Sequence, residues 1–463
     1  MFAFPAPFEA RERALLGSRF EELLTYATPT PARGITVNGL RCAPDVVAQG
    51  SGLPLASSAF CPAAFTLTDP DLRPGRHPWH HAGVFYVQEP SASAPAALLE
   101  VQPGQKVLDM CAAPGGKTSQ LAAALQGQGL LVANEYDSAR AEILRQNLER
   151  MGVPNAVVLN EDTTRLAAAF PAFFDRVLVD APCSGEGMFR KEAAAAGQNS
   201  QGLIDHCAAL AREILDNAAA LLAPGGILVF STCTFAPEED EGQVAAFLQR
   251  HPEFTLCDLS GCGFGRPGEP NRAGYDFGAE KCRRIWPADG GEGHFMAKLQ
   301  KSAEAEAAPP TEPARKKGRG DRKGGSAKVP AEWADFAKAL FPALTARPVQ
   351  VAGDWLVLPP QTPLPSHRLR ILRSGVPAGK VMKKRFEPSH ALFMAWGADC
   401  TNREALTLAD PRTAAWLRGE EIEARTARNG WCAVLVDGFP LGGGKVSGGR
   451  IKNHYPKGLR NLG

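Results

Sequence analysis

Asp109-Met-Cys-Ala-Ala-Pro-Gly-Gly-Lys117-Thr118 decides how this chain is read. It begins within a short apolar run, KVLDMC (106–111), and leads into an Ala/Leu stretch, 119–125, that reads as a helix. A strand that turns through paired glycines into a helix lets backbone approach a ligand, and the helix start offers free N–H groups. The turn is not a phosphate-cradling P-loop, because Cys111 stands where that pattern needs glycine, and it is not the G-x-G-x-x-G dinucleotide loop.

Working outward, the same rhythm repeats. LLVANE (130–135), AVVLN (156–160), RVLVD (176–180), ILVFS (227–231) and HFMAKL (294–299) read as strands. Helical stretches lie at 138–151, 207–222 and 240–250. In the first, Ile143, Leu144, Leu148 and Met151 keep helical spacing; the second is expected to end at Pro224-Gly225-Gly226. Strands separated by helices imply crossover units and an α/β fold with a parallel sheet covered on both faces. Such a doubly wound sheet binds its ligand beyond the carboxyl ends of the strands.

That edge carries acids and thiols. Glu135 ends the second strand and suits the two hydroxyls of a ribose. Asp162 and Asp180 follow the third and fourth strands, placed to meet an adenine amino group and a cationic sulfonium. Taken singly, each is more simply a helix cap or turn residue. Cys183, in Asp180-Ala-Pro-Cys-Ser-Gly-Glu-Gly187, and Cys233, in Ser231-Thr-Cys-Thr, follow adjacent strands and should face the same crevice. A lone cysteine is usually a small buried hydrophobe. Two at neighbouring strand ends fit cytosine chemistry, in which a thiolate adds to carbon 6 and makes carbon 5 nucleophilic. A neighbouring acid must hydrogen-bond ring nitrogen 3, which Asp180 could do if protonated or sharing a proton. These residues alone leave open which cysteine attacks.

The rival use of thiols is metal binding. Cys257, Cys262, Cys282 and His294 supply zinc-type ligands but lack a short C-x-x-C pair, so no metal is expected.

Composition narrows the class. The 463 residues, 44% hydrophobic and 22% charged, are ordinary for a globular chain of about three domains. No run of about 18 apolar residues exists, so no membrane span is expected. The start, MFAFPAPFEARER, does not read as a secretory signal, and eleven scattered cysteines fit reduced thiols in a cytoplasmic protein. The net charge of +2 is unevenly spread. Arg368, Arg370, Arg373, Lys380, Lys383, Lys384 and Arg385 form one acid-free cluster, and Lys445, Arg450, Lys452, Lys457 and Arg460 another. A third, Arg315, Lys316, Lys317, Arg319, Arg322 and Lys323, lies in a segment that reads as a disordered linker, 301–328. Such clusters suit phosphate contacts, although a solvated basic face is the plainer reading of any one. Trp396, Trp416, Trp431 and Tyr455 lie near them, mostly as core, with one available to stack on a base.

VQEPSA (87–92), DMCAAPGGKT (109–118), NEYDSAR (134–140), DAPCSGEGMFRK (180–191) and STCTFAPEEDE (231–241) together resemble the Sun-type (Fmu-related) RNA cytosine-5 methyltransferases. The motifs occur in family order across roughly 88–299, and GMFRK, TCT and the ending NHYPKGLR resemble the bacterial branch acting on 16S ribosomal RNA. The family's usual TCS reads TCT here, which leaves the thiol in place. The resemblance implies a Rossmann-like class I methyltransferase with a mixed, mainly parallel seven-stranded sheet.

It further implies that Cys111, Ala112, Ala113, Pro114, Gly115, Gly116, Lys117, Glu135, Asp162 and Asp180 bind S-adenosylmethionine. Cys233 would be the nucleophile and Cys183 would assist product release, while Lys117 and Asp180 orient or polarise the cytosine. The implied organisation is an RNA-contacting extension (1–87), the methyltransferase domain (88–300), the linker (301–328), a first C-terminal region (329–395) and a PUA-like RNA-binding domain (396–463). The expected partner of this monomer is small-subunit ribosomal RNA. A transfer-RNA cytosine methyltransferase and an RNA-binding ribosome assembly factor are the alternatives.

Overall fold

The computed structural model describes residues 4–26, 30–272, 274, 276–305, 329–365, 368–383 and 385–460. Most of the expected linker, with its basic cluster, and Lys384 therefore lie outside the described residues.

The first 85 residues, which read as irregular behind one opening helix at 9–24, are more ordered than that. Two helices, Ala6–Leu16 and Phe20–Tyr26, flank a 3-10 turn at Gly17–Arg19. Gly17 has φ +57°, and its backbone breaks the helix there. An antiparallel sheet follows, built from β1 (Gly34–Val37), β2 (Leu55–Ser57), β3 (Ala64–Leu67) and β4 (Phe85–Val87) in the order β2-β3-β1-β4. Strands of three or four residues are too short for period-two alternation to register in sequence.

The central sheet begins with β5 (Lys106–Asp109), β6 (Leu130–Asn134), β7 (Ala156–Leu159), β8 (Phe174–Asp180) and β9 (Leu222–Thr232). These five are parallel, ordered β9-β8-β5-β6-β7. Beyond β9 lie β10 (Phe254–Leu256), β11 (Arg266–Pro267), β12 (Arg283–Ile285) and β13 (His294–Lys301), with β13 antiparallel to β9. The helix expected to reach Pro224 runs Gln201–Leu221 and stops earlier, and Pro224-Gly225-Gly226 is drawn into β9.

A smaller sheet contains β14 (Gln350–Ala352) and β15 (Trp355–Leu358). The chain then returns to the central sheet as β16 (Ile371–Ser374), antiparallel on the free edge of β7. The sheet thus holds ten strands, not seven. The additions escape sequence reading because they are two to four residues long and pair with distant partners. After β16, β17 (Val376–Met382) and β18 (Arg385–Pro388) complete the β14 sheet. A last five-stranded sheet comprises β19 (Arg403–Leu406), β20 (Ile422–Glu423), β21 (Gly430–Val436), β22 (Phe439–Ser447) and β23 (Arg450–Asn453).

Burial explains why the central strands read as unbroken apolar runs. Leu130 and Val132 of β6 face the core that holds Ile214 and Leu215, whereas Leu131 and Ala133 face the core of Leu121, Leu144 and Leu148. Both faces are covered, so no polar residue is needed on either. A third core is shared between the ends of the chain, where Ile35, Trp79 and Phe85 pack with Trp416, Leu417 and Tyr455. Trp79 Nε1 donates to Asp437 Oδ2 at 2.8 Å.

The helix Ala6–Leu16 is pinned by ion pairs. Arg272 Nη2 and Glu12 Oε2 lie 2.7 Å apart, and both side chains are fully buried. Removing Glu12 takes away one of the two carboxylates that compensate the buried Arg272 charge, the other being Glu269. Glu12→Ala should therefore lower unfolding free energy by about 3 kcal/mol in urea denaturation. Arg418→Ala, which breaks an exposed pair with Glu420, should leave the midpoint unchanged.

Candidate active site

Parallel strands bring their carboxyl ends to one edge, and the loops that leave them build the site. After β5 the chain turns through Gly115, at φ +112°, into the helix Gly116–Leu125. A Cβ on Gly116 would meet Gln88 Oε1, so any larger residue must displace that side chain where this loop lies against the VQEPSA segment. The space in front of it is a cavity of about 220 Å³ lined by Gln88, Asp109, Cys111, Pro114, Lys117 and Asp180, among others.

The acids behave differently from one another. Asp109 Oδ2 accepts from Thr118 Oγ1 at 2.7 Å, Oδ1 has no partner, and burial pushes the carboxyl up to about 7. Glu135 is buried; its Oε1 accepts from Asp137 N at 3.0 Å. Glu135 Oε2 accepts no hydrogen bond, although Arg140 Nη1 lies 3.6 Å away. Asp162 caps the helix Thr163–Ala169 by accepting from Thr164 N at 2.8 Å, so its plain reading as a cap also holds. Asp109 lines the cavity, while Glu135 and Asp162 lie outside its lining; the buried donor-less acceptors Asp109 Oδ1 and Glu135 Oε2 fit a ligand that brings hydroxyl or amino donors and a cation. S-adenosylmethionine has that chemistry.

Lys117 and Asp180 form the electrostatic centre. Lys117 Nζ donates to Asp180 Oδ2 at 2.7 Å, and Ser231 Oγ donates to Asp180 Oδ1 at 2.7 Å. Burial works against the Lys117 charge, but Asp180 more than offsets it and holds the ammonium above the usual lysine range.

Cys183 Sγ and Cys233 Sγ lie 3.4 Å apart. Their surroundings are unequal. The hydrogen bond shared with Cys183, with help from Lys117 and Lys191, lowers the Cys233 thiol against burial and Asp180. Cys183 is pushed well up by its bond to Cys233, by burial and by Glu239. Cys111, on the cavity wall, is held protonated by burial.

The loop that carries Cys183 is clamped on both sides. Glu239 accepts from Ser184 N at 2.7 Å and from Ser184 Oγ at 2.5 Å, and burial lifts its carboxyl to about 7. Glu186 takes Arg11 Nη2 at 2.6 Å and Phe235 N at 3.2 Å, and Gly187 N donates to Cys233 O at 2.9 Å. Sequence reading missed Asp109, Ser231 and Glu239 as site residues. All three lie inside the quoted motifs, Asp109 and Ser231 at strand ends, which was the available signal.

The four zinc-type candidates do not assemble. His294 Nδ1 meets Ser91 Oγ at 2.8 Å, Cys262 Sγ donates to Phe264 O at 3.3 Å, and no metal-binding cluster occurs among the described residues. No helix among them is long and apolar enough to cross a membrane.

Comparison with known proteins places the chain. Residues 96–300 match the family described as 16S rRNA methyltransferase RsmB/F. Residues 4–90, 335–396 and 403–461 match the RsmF N-terminal, first C-terminal and PUA domains. The chain is 31% identical to ribosomal RNA small subunit methyltransferase F of Cronobacter sakazakii, covering 97% of this chain and 94% of that protein. The same-named Klebsiella pneumoniae protein is 32% identical, covering 98% and 96%.

A methyltransferase homologue from Pyrococcus horikoshii is 31% identical with a TM-score of 0.54, over 63% of this chain and 91% of that one. NSun6 from Pyrococcus horikoshii, solved with SFG, shares the fold at TM-score 0.55 and 21% identity, covering 65% and 99%. Fold and site define an S-adenosylmethionine-dependent methyltransferase with a PUA-like C-terminal domain. The chain belongs to the 16S rRNA methyltransferase RsmB/F family and carries all three accessory domains of its RsmF branch.

The unequal thiols are open to direct measurement. With iodoacetamide near neutral pH, Cys233 should alkylate ahead of both Cys183 and Cys111, as read by peptide mass spectrometry. Removing the nearby ammonium in Lys117→Met raises the Cys233 thiol. Its pH–rate curve should then move to higher pH, with slower labelling at pH 7.

Proposed function

We propose that this enzyme methylates carbon 5 of cytosine in 16S ribosomal RNA through a covalent adduct with Cys233. The supporting observation is the 3.4 Å cysteine pair, in which Lys117 and Lys191 favour the Cys233 thiolate against burial and Asp180, while Glu239 disfavours that of Cys183. Thiolate is the nucleophilic form, and the lowered thiol is Cys233.

The Cys233 thiolate adds to carbon 6, and the ring electrons move toward carbon 5. Nitrogen 3 takes up a proton as the thiolate adds, delivered from the Lys117 ammonium through Asp180, whose other oxygen accepts from Ser231. Bound S-adenosylmethionine supplies an electrophilic methyl group. Cys111 to Lys117, Glu135, Asp162 and Asp180 form its site, with Glu135 on the ribose hydroxyls. Release needs a base to take the carbon 5 proton. The C5=C6 bond then re-forms and the C–S electron pair returns to sulfur. Cys183, within hydrogen-bond reach of that sulfur, assists this departure.

The RNA surface is less uniform than its sequence clusters imply. Arg373 is buried, bonded to Gly375 O at 2.6 Å and to Val153 O, and is unavailable to phosphate. Trp416 and Tyr455 are core. Lys445 and Lys452 stand directly opposite on β22 and β23, both exposed. Like charges so placed are unfavourable until an anion joins them.

In the full chain, Cys233→Ala should abolish methylation, while Cys183→Ala should accumulate a protein–RNA adduct on a denaturing gel. Full activity of Cys233→Ala with no adduct in Cys183→Ala would refute the assignment. Bisulfite sequencing of cells lacking the gene should show a lost ribosomal methylcytosine. A loss confined to transfer RNA favours that alternative, and no loss favours an assembly factor. Lys445→Ala and Lys452→Ala should each weaken RNA binding and reduce the salt slope by about one.

A further inference from the structure

The edge of a Rossmann-like sheet is an open row of backbone donors and acceptors. In this protein β16 closes it. Ile371 pairs with Leu159, Arg373 with Val158 and Ser374 with Val157.

The residues just before β16 then reach the turn that leaves β7. Asn160 N donates to Arg370 O at 3.0 Å, and Arg370 N donates to Glu161 Oε1 at 2.6 Å. Glu161 Oε2 accepts from Arg165 Nη1 at 2.6 Å, and Arg165 Nη2 donates to Arg368 O at 2.7 Å.

The same two turn residues also hold the end of β6. Asn160 Nδ2 donates to Glu135 O at 2.8 Å and to Tyr136 O at 2.7 Å. Asn134 Oδ1 accepts from Glu161 N at 3.1 Å, and Asn134 Nδ2 donates to Glu161 O at 3.0 Å. Asn160 and Glu161 are both buried, which leaves water little access to replace these bonds. One hydrogen-bonded path therefore joins 368–371, through Asn160 and Glu161, to the Glu135 backbone and the residue before Asp162.

We infer that residues 368–371 are part of the S-adenosylmethionine site, with Glu161 as the positioning residue that ties the turn bearing Asp162 to the C-terminal region. The inference rests on Glu135 and Asp162 being the cofactor's contacts. A turn fixed before binding spares the ligand the cost of ordering it. By linkage, bound cofactor must in turn stabilise β16.

The test uses the full chain and S-adenosylhomocysteine in isothermal titration calorimetry. Glu161→Ala removes the acceptor of Arg370 N, and affinity should fall about tenfold. The KM for S-adenosylmethionine should rise in step, with kcat and RNA affinity changed less than about twofold. Glu161→Gln keeps that acceptor and should restore most of the affinity. Hydrogen exchange supplies a readout free of mutation: saturating S-adenosylhomocysteine should slow amide exchange at 370–374 in the unmodified protein.

Affinity within about twofold of wild type in Glu161→Ala, or exchange at 370–374 indifferent to ligand, overturns the inference. Glu135→Ala separates the two levels. If it binds cofactor normally, the placement of the site itself is wrong. If it loses binding while Glu161→Ala does not, only the role of residues 368–371 falls.

Discussion

Five strands that run the same way must all end on the same edge, and the chemistry of this protein depends on that constraint. The parallel register of β5 to β9 delivers Asp109, Asn134 with Glu135, Leu159 before Asp162, Asp180, and Thr232 with Cys233 to one line. Crossover helices on both faces make this register the stable one, because each buries an apolar stripe against the sheet. The same geometry crowds acids together. Burial is the main reason Asp109 titrates near 7, and Asp180 and Glu135 add to it. Lys117 is the counterweight, and its bond to Asp180 keeps the edge compatible with a nearby thiolate.

Around that edge the remaining chain acts as a brace. The N-terminal helix reaches the Cys183 loop through Arg11 and Glu186, and Arg190 pairs with the buried Glu292. The N-terminal sheet shares a core with the PUA domain, so the two ends of the chain are one packed body. Strand β16 ties a third region to the opposite side of the site. Parts that look like appendages in sequence are structurally continuous with the catalytic sheet.

Much of this was legible in the residues. The central strands are mostly buried and five or more residues long in several cases, so their apolar runs stand out, and the glycine turn marks the first strand end. The motif order carried the family resemblance, which the matches to RsmB/F and to all three accessory domains bear out. Less was legible at the periphery. The N-terminal strands, β11, β12 and β16 are too short to show a period, and their partners lie far along the chain. Arg373 looked like a phosphate contact because sequence gives charge and not burial.

The sequence by itself determined the chemical inventory of this protein: the strand-end acids, the two thiols, the glycine turn and the basic C-terminal third hidden in a net charge of +2. These follow from residue type and short-range spacing, which need no folded chain. Only the tertiary structure decided how the inventory is shared out. It set which thiol is lowered and which is raised, which arginine is buried, and which distant strand completes the sheet. Each of these depends on contacts between residues far apart in the chain, and on how much water each group keeps once those contacts form.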